Sequence, residues 1–344
     1  MPPTRRESPR QPTMRDVAAV AEVSLKTVSR VVNGETTVDA SMTARVHSAI
    51  ALLGYRRDAT ASALRRSDRA SASIGLIVED VANPFHSWLH RGVEDLARAR
   101  GVLTFAGSSE ENPELERELA SAFCARRVDG LVIVPAGDDQ SYLLRERENG
   151  VALVFVDRPP GFLPADAVLS DNFEGARAGV LHLLDHGHRE IAFLGDRLHI
   201  HTARERLRGY RAALRERGIA GRAELVTTDL FHAAAGAQAT RALLELDAPP
   251  TALFTSQNLI TLGAVHALRD CSRRDEIALV GFDDFELADA LQPAITVIAQ
   301  EALTMGRQAA ELLFARLDGD ASPFRTITLP TTLIPRGSGE IRPR

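Results

Sequence analysis

Four residues on one short segment, Leu25, Lys26, Ser29 and Arg30, carry the first recognisable chemistry in this sequence. The segment runs Ser24-Leu-Lys-Thr-Val-Ser-Arg-Val-Val-Asn33, and its Val28, Val31 and Val32 recur at helical spacing as one apolar stripe. The opposite side then presents an ammonium, a guanidinium and a hydroxyl. Lysine and arginine donate to guanine O6 and N7 or to phosphate, and serine serves base edges or backbone. The same pattern also fits the solvated side of any three-helix bundle. Lys26 is the only lysine in the chain, which favours the DNA reading.

Other constellations are weaker. His186-Gly-His188 and His199-Ile-His201 have metal-like spacing, but no cysteine or acid cluster frames either pair, so surface or turn histidines are expected. Cys124 and Cys271 are isolated, which argues against a disulfide framework or a zinc site. A GxSxG elbow, a phosphate loop GxxxxGK[ST] and a GxGxxG after a strand are all absent. Asp283 and Asp284 are adjacent, and neighbours at a strand end point to opposite sides, against a catalytic pair. No catalytic residue, metal ligand or cofactor is therefore assigned.

The elements that must hold these groups differ along the chain. At 344 residues, two or three domains are expected. Hydrophobic residues at 44% and charged residues at 25% exclude wholesale disorder. No apolar run reaches the ~18 residues of a membrane span, and residues 1–12 read as a frayed tail without the apolar core of a secretory signal. A cytoplasmic, soluble chain without membrane contact is expected. Residues 1–72 hold twelve lysines and arginines against seven acids, while the remainder is acidic enough to make the whole chain −5. A basic head on an acidic body suits a nucleic-acid module joined to something with another task.

Residues 13–57 show three short helical patterns. Thr13 caps the first, with Asp16 at its third position; Ser24 caps the second. The third spans about 40–53, capped by Asp39 and stopped by Gly54, with Val46, Ile50 and Leu53 facing inward. That is the outline of a helix-turn-helix. Residues 56–73 form a basic, Ala/Ser-rich linker with Leu64 as its one sizeable apolar side chain, too little to fold alone. From residue 74 apolar runs (74–78, 102–105, 131–134, 151–156, 191–194, 252–255, 277–280) alternate with helical stretches (85–100, 112–127, 171–187, 203–217, 233–246, 258–271). This predicts parallel sheets covered on both faces, in two similar α/β lobes, with ligands beyond the carboxyl ends of the strands.

The run from Thr13-Met-Arg-Asp-Val-Ala-Ala-Val-Ala-Glu-Val-Ser to Asn33-Gly34 resembles the DNA-binding headpiece of the lactose-repressor (LacI/GalR) family of bacterial transcription regulators. The resemblance continues through Thr43-Ala-Arg-Val46, Leu53-Gly-Tyr55, Ile74-Gly-Leu-Ile77, Ala82-Asn-Pro-Phe85 and Arg127-Val-Asp-Gly-Leu131. Gly187-His-Arg-Glu-Ile191, residues 202–210, Val280-Gly-Phe-Asp-Asp284 and residues 296–300 follow in the family's order. It covers about residues 13–335. The headpiece motif is highly specific, and each body motif is weaker alone.

The resemblance implies a helix-turn-helix headpiece on residues 13–57, a hinge on 58–72, and a two-lobed body on 73–335 like periplasmic sugar-binding proteins. Lobe 1 is placed at about 73–170 and 301–328, lobe 2 at about 171–300 and 329–335, with a tail on 336–344. It implies that Leu25 and Lys26 set operator choice, that Arg30 contacts a base, and that Thr13, Thr27, Ser29 and Asn33 lie near phosphates. Leu64, with Ala61 before it on the same side of the hinge, matches the leucine that the family wedges into the minor groove. On this basis residues 58–66 are expected to be disordered in the free protein and helical on operator. The implied effector site is Asn83, Phe85, Asp157, Arg206, Gln257, Asp283 and Gln300. Carboxylates and amides pair with vicinal hydroxyls, and Phe85 or Trp88 covers a sugar's apolar face.

Two departures stand out. Arg57 occupies a position where the family often has proline, and Gln257-Asn258 replaces a frequent Asn-Asp, removing a carboxylate. The expected function is a regulator, in the repressor sense, that binds a palindromic double-stranded operator as a homodimer or higher assembly under a sugar-like effector. The alternative is a transport-type sugar-binding protein, which calls for an export signal and no basic headpiece. A sugar-processing enzyme is a third class, for which the sequence offers no nucleophile.

Overall fold

In a computed structural model that describes residues 12–35, 37–55 and 71–343, short-range capping signals start each headpiece helix. Helix α1 (Met14–Ala21) opens on a capping box: the Thr13 amide and hydroxyl both donate to Asp16 Oδ2 at 2.7 Å. Helix α2 (Leu25–Val32) opens on Ser24, whose Oγ accepts from the Thr27 amide at 3.1 Å. Asp39 caps α3 (Ala40–Leu53), and Gly54 ends it in the left-handed conformation. Val17, Ala21, Val28, Val31, Val46 and Ala49 form the small core of this unit. Two details differ from the periodicity. Val32 is only half-buried, and Ala49 takes the inner position while Ile50 and Leu53 pack at its margin, because three short helices enclose only small side chains. The frayed tail, the hinge on 58–66, Arg57, Ala61 and Leu64 lie outside the described residues, except for Pro12.

The second unit comprises residues 72–344. Its first sheet contains β1 (Ser73–Val78), β2 (Leu103–Ser108), β3 (Gly130–Ile133), β4 (Ala152–Val156), β5 (Asp166–Ser170) and β11 (Thr326–Leu329). Their order is β11-β5-β4-β3-β1-β2, and every pairing is parallel. The second sheet contains β6 (Ile191–Leu194), β7 (Val226–Thr227), β8 (Ala252–Thr255), β9 (Ala278–Phe282), β10 (Thr296–Ala299) and β12 (Thr332–Ile334). Its order, β12-β10-β9-β8-β6-β7, repeats the first, except that β12 runs antiparallel to β10. Strands such as Ser73-Ile-Gly-Leu-Ile-Val78 are buried along their whole length, as expected when helices cover both faces. The edge strand β2 departs from that expectation, with Leu103 and Phe105 exposed.

Helices α4 (Pro84–Ala99) and α11 (Ala302–Leu317) cover one face of the first sheet, and α5 (Pro113–Ala125) covers the other. Gly92 and Gly306 let α4 and α11 cross closely: a Cβ on either would stand 2.2 Å from Leu303 O or 2.0 Å from Leu89 O. On the second sheet, α7 (Asn172–Asp185) and α8 (His201–Glu216) share one core, and α9 (Ala233–Leu244) and α10 (Asn258–Asp270) share the other. A short α6 (Leu144–Glu148) completes the helices cited here. The chain passes between the sheets after β5, after β10 and after β11. His188 corrects an expectation: it is fully buried, its ring nitrogens 2.9 Å from Thr251 Oγ1 and 2.7 Å from the Ile341 carbonyl, so it ties down the C-terminal segment.

Candidate functional site

The headpiece presents one polar face. On α2, Leu25, Lys26 and Arg30 are exposed, Ser29 and Thr27 are half-buried, and Asn33 is exposed at the helix C-cap. Val28 and Val31 anchor the opposite side, so the stripe in the sequence does orient these residues outward. Arg30 lies 3.5 Å from Glu35 in a half-exposed ion pair, the kind that contributes little to stability. Thr13, by contrast, has its hydroxyl committed to Asp16.

The body gathers its polar residues at the carboxyl ends of both sets of parallel strands. Asp157 follows β4 and Asp283 follows β9, each with a left-handed backbone (φ 69° and 70°), a conformation that aspartate tolerates better than bulkier residues. Each amide still extends its sheet: Asp157 N donates to Val168 O and Asp283 N to Ile298 O, both at 2.9 Å. The turn therefore aims each carboxylate past the end of the sheet while losing no backbone hydrogen bond.

Around Asp283 the partners are well defined. Gln300 Nε2 donates to Asp283 Oδ1 at 2.5 Å, and Arg206 Nη1 stands 3.6 Å from Asp283 Oδ2. Arg206 is itself locked by Asn172 Oδ1 (2.7 Å) and the Ser256 carbonyl (2.6 Å), with its guanidinium 3.8 Å over the Phe282 ring. Asp157 is different. Its Oδ2 lies 3.6 Å from Arg158 Nε, and its Oδ1, although buried, has no hydrogen-bond partner. Burial, ahead of the opposing pull of Arg158 and Arg206, raises its pKa above the usual carboxylate range.

A cavity of about 690 Å³ opens between the two sheets, lined by Phe85 and Trp88 from the first lobe and by Asp283, Phe285 and Gln300 from the second. Asn83 caps α4 through Phe85 N (3.0 Å) and also receives the Asn258 amide across the cleft at 2.9 Å. Gln257 plays a local part, capping α10 and reaching Asp196 at 3.3 Å. The structure thus brings Arg206 and Gln300 to Asp283, with Asp157 near enough to feel Arg206 and Asp283, while Phe85, Asp283 and Gln300 line the cavity itself. It puts Asn258 rather than Gln257 across the lobes.

Several residues were missed in the sequence. Arg158 is buried against Glu111 (2.6 Å) and Glu79 (3.4 Å), and a smaller recess of about 130 Å³ beside it is lined by Glu111, Arg158, His199 and His201. Glu79 has its carboxyl pushed up to about 8, first by burial and then by Glu111. Its position directly after an apolar strand was the only local signal. Glu111 gave none, because it arrives from a different loop.

Known proteins resemble both units. The family model described as bacterial regulatory proteins, lacI family, matches residues 13–58, and a periplasmic binding protein-like domain matches residues 180–339. The HTH-type transcriptional regulator PtxS of Pseudomonas aeruginosa is 33% identical over 95% of this chain and 95% of its own length. The HTH-type transcriptional regulator GalR of Escherichia coli is likewise 33% identical, over 95% of each chain. Among solved structures, a lac repressor dimer bound to operator and the anti-inducer ONPF aligns with TM-score 0.83 and 28% identity, covering 96% of this chain and 99% of that one. A complex of the transcriptional regulator CelR with cellobiose aligns with TM-score 0.70 and 31% identity, covering 95% and 99%.

Proposed function

Because the chain belongs to the LacI family of bacterial regulatory proteins, we propose that α2 reads a palindromic operator as one half of a homodimer, under control of a sugar-like effector held in the interlobe cleft. The chain is a transcription regulator, and its curated relatives are named as regulators rather than enzymes. In this reading it acts in the cytoplasm and leaves its effector chemically unchanged. Leu25, Lys26 and Arg30 read bases, while Thr27, Ser29 and Asn33 approach phosphates.

The observation that supports the effector half is the approach of Asp157, Arg206, Asp283 and Gln300 to one another from two sheets, with Asp283 and Gln300 lining the cavity. A ligand that bridges them favours one separation of the lobes over another. Only that differential affinity can change operator affinity, and a coupling of about 1–3 kcal/mol corresponds to a 5–150-fold change. The CelR relative seen with cellobiose supports a sugar-like occupant.

The test is a gel shift of the full chain on the DNA flanking its own gene, across a salt series and a panel of sugars. Binding should weaken steeply with salt as counterions are released. Lys26→Ala should change the preferred site with a loss of about 1–3 kcal/mol. Unaltered preference in Lys26→Ala would sink the recognition-helix assignment. A lack of response to any sugar would sink the effector half.

A further inference from the structure

The cavity between the lobes is larger than one sugar ring needs, and its lining changes from buried to open. Its volume of about 690 Å³ lies within the roughly 300–1,000 Å³ that drug-sized ligands occupy. A single monosaccharide is far smaller than such a ligand. The inner lining is buried: Phe85 from α4 and Phe285 from the loop after β9, each 9% exposed, with Asp283 between the lobes' rings. Gln300 joins them, its amide given to Asp283 and its buried Oε1 left without a hydrogen-bond partner. An acceptor in that state favours an occupant that brings a hydroxyl hydrogen.

The outer lining is apolar and open. Trp88 is 60% exposed and Leu303 45% exposed, and the exposed side chains of Glu286 and Glu301 complete that part of the wall. Trp88 follows Phe85 by three residues on α4, so both rings lie on one side of the helix, with the indole about 4.5 Å further along its axis. That step is on the scale of one sugar ring. An indole presents a broad, rigid apolar face, which suits the C–H face of a pyranose and gains from being covered. Asp284 adds no free acceptor here, since Arg336 holds both of its oxygens.

Resting on the effector reading above, we propose that the effector is a disaccharide or longer glycoside, with one ring held at Asp283, Gln300 and Phe85 and the next stacked on Trp88. Trp88 is the specificity-determining residue for ligand length in this view. The second ring covers the indole and Leu303, while Glu286 and Glu301 accept its hydroxyls. A monosaccharide fills only the inner end and leaves the indole in water.

The test is titration calorimetry on the full chain with glucose, galactose, mannose and xylose, each offered alone and in α- and β-linked disaccharides. At least one disaccharide should bind about tenfold or more tightly than either of its component sugars. It should also shift the fluorescence of Trp88, the chain's only tryptophan, more than the monosaccharides do. Trp88→Ala should cut the gain to about twofold, with monosaccharide affinity, melting temperature and oligomeric state as in the parent. Trp88→Phe should keep most of the gain. A monosaccharide that binds as tightly as any disaccharide, or a gain that survives Trp88→Ala, would overturn the proposal and leave the effector reading standing. Dissociation of the Trp88→Ala protein into smaller species would also overturn it, because the indole would then belong to a contact between copies. A panel in which no sugar of either size binds would overturn the effector reading and this proposal together.

Discussion

The two lobes repeat one topology and even one strained aspartate, yet they use it in opposite ways. In lobe 2, Asp283 is held by Gln300 and Arg206, and the next residue, Asp284, takes a bidentate pair from Arg336 at 2.7 and 2.6 Å. In lobe 1, Asp157 keeps an unpaired oxygen, and the next residue, Arg158, turns into a nest of acids. The charge order is inverted: acid then acid on one side, acid then base on the other. A shared scaffold therefore produces one wall whose carboxylates are paired and one with a carboxylate oxygen left unpaired. Preorganised groups lower the cost of binding, whereas unsatisfied ones decide what is accepted.

This contrast predicts unequal responses to equivalent substitutions. The largest effect is expected for Asp283→Ala, which strips Gln300 and Arg206 of their shared partner. Effector affinity should fall about 100-fold, as for a lost hydrogen bond to a charged group with its neighbours stranded. Operator binding without effector should remain, since residues 13–55 form a separate unit. Titration calorimetry beside a gel shift checks both, and joint loss would indicate misfolding instead.

Asp157→Asn should cost less, about tenfold in affinity, and should raise the melting temperature of the free protein because a poorly compensated buried charge is removed. A drop in melting temperature would mean that the carboxylate of lobe 1 is as well paired as that of lobe 2.

The same wall makes lobe 1 respond to pH on two flanks. The folded protein keeps a proton on Glu79 up to about 8, beside Glu111, Arg158 and Asp196, whereas the unfolded chain releases it near 4.5. This contribution to stability is full below about 4.5 and is lost as pH rises through 8. Buried His86, pushed down to about 3 by burial and then by Arg158, acts oppositely: its contribution is present above 6.5 and is lost as pH falls towards 3. The stability difference between the parent and Glu79→Gln should change as pH rises from about 4.5 to 8 and stay constant outside that window. The smallest effect belongs to Asn258→Ala, which removes the amide pair across the cleft at about 1 kcal/mol, because Asn83 Oδ1 keeps the Phe85 amide.

What could be read from residue types alone followed the range of the interaction. Thr13, Ser24, Asp39 and Gly54 mark helix ends through bonds two to four residues long, and each does so here. Apolar runs located β6 and β8 to the residue, since buried parallel strands need little else. Strands β5, β7, β10, β11 and β12 and helix α11 went unread; the strands are two to five residues long, and their pairing comes from neighbours distant in sequence. The cleft divides likewise. Asp157 and Asp283 end apolar strands within the family motifs, while Glu111 joins Arg158 from a separate loop.

The three passages between lobes bear on how this chain is made on the ribosome. Lobe 1 comes first in the sequence, yet its core needs Met305, Ala309, Leu313 and Phe314 of α11, and its sheet needs β11. Until those arrive, Leu89 and Val93 have no cover on one side, although β6 to β10 have already been synthesised. The early half must therefore wait, partly folded, for the late half to be translated. A nonsense codon shortly after Gln300 would then release a chain with an open lobe 1 core, a substrate for chaperones and proteases rather than a smaller regulator.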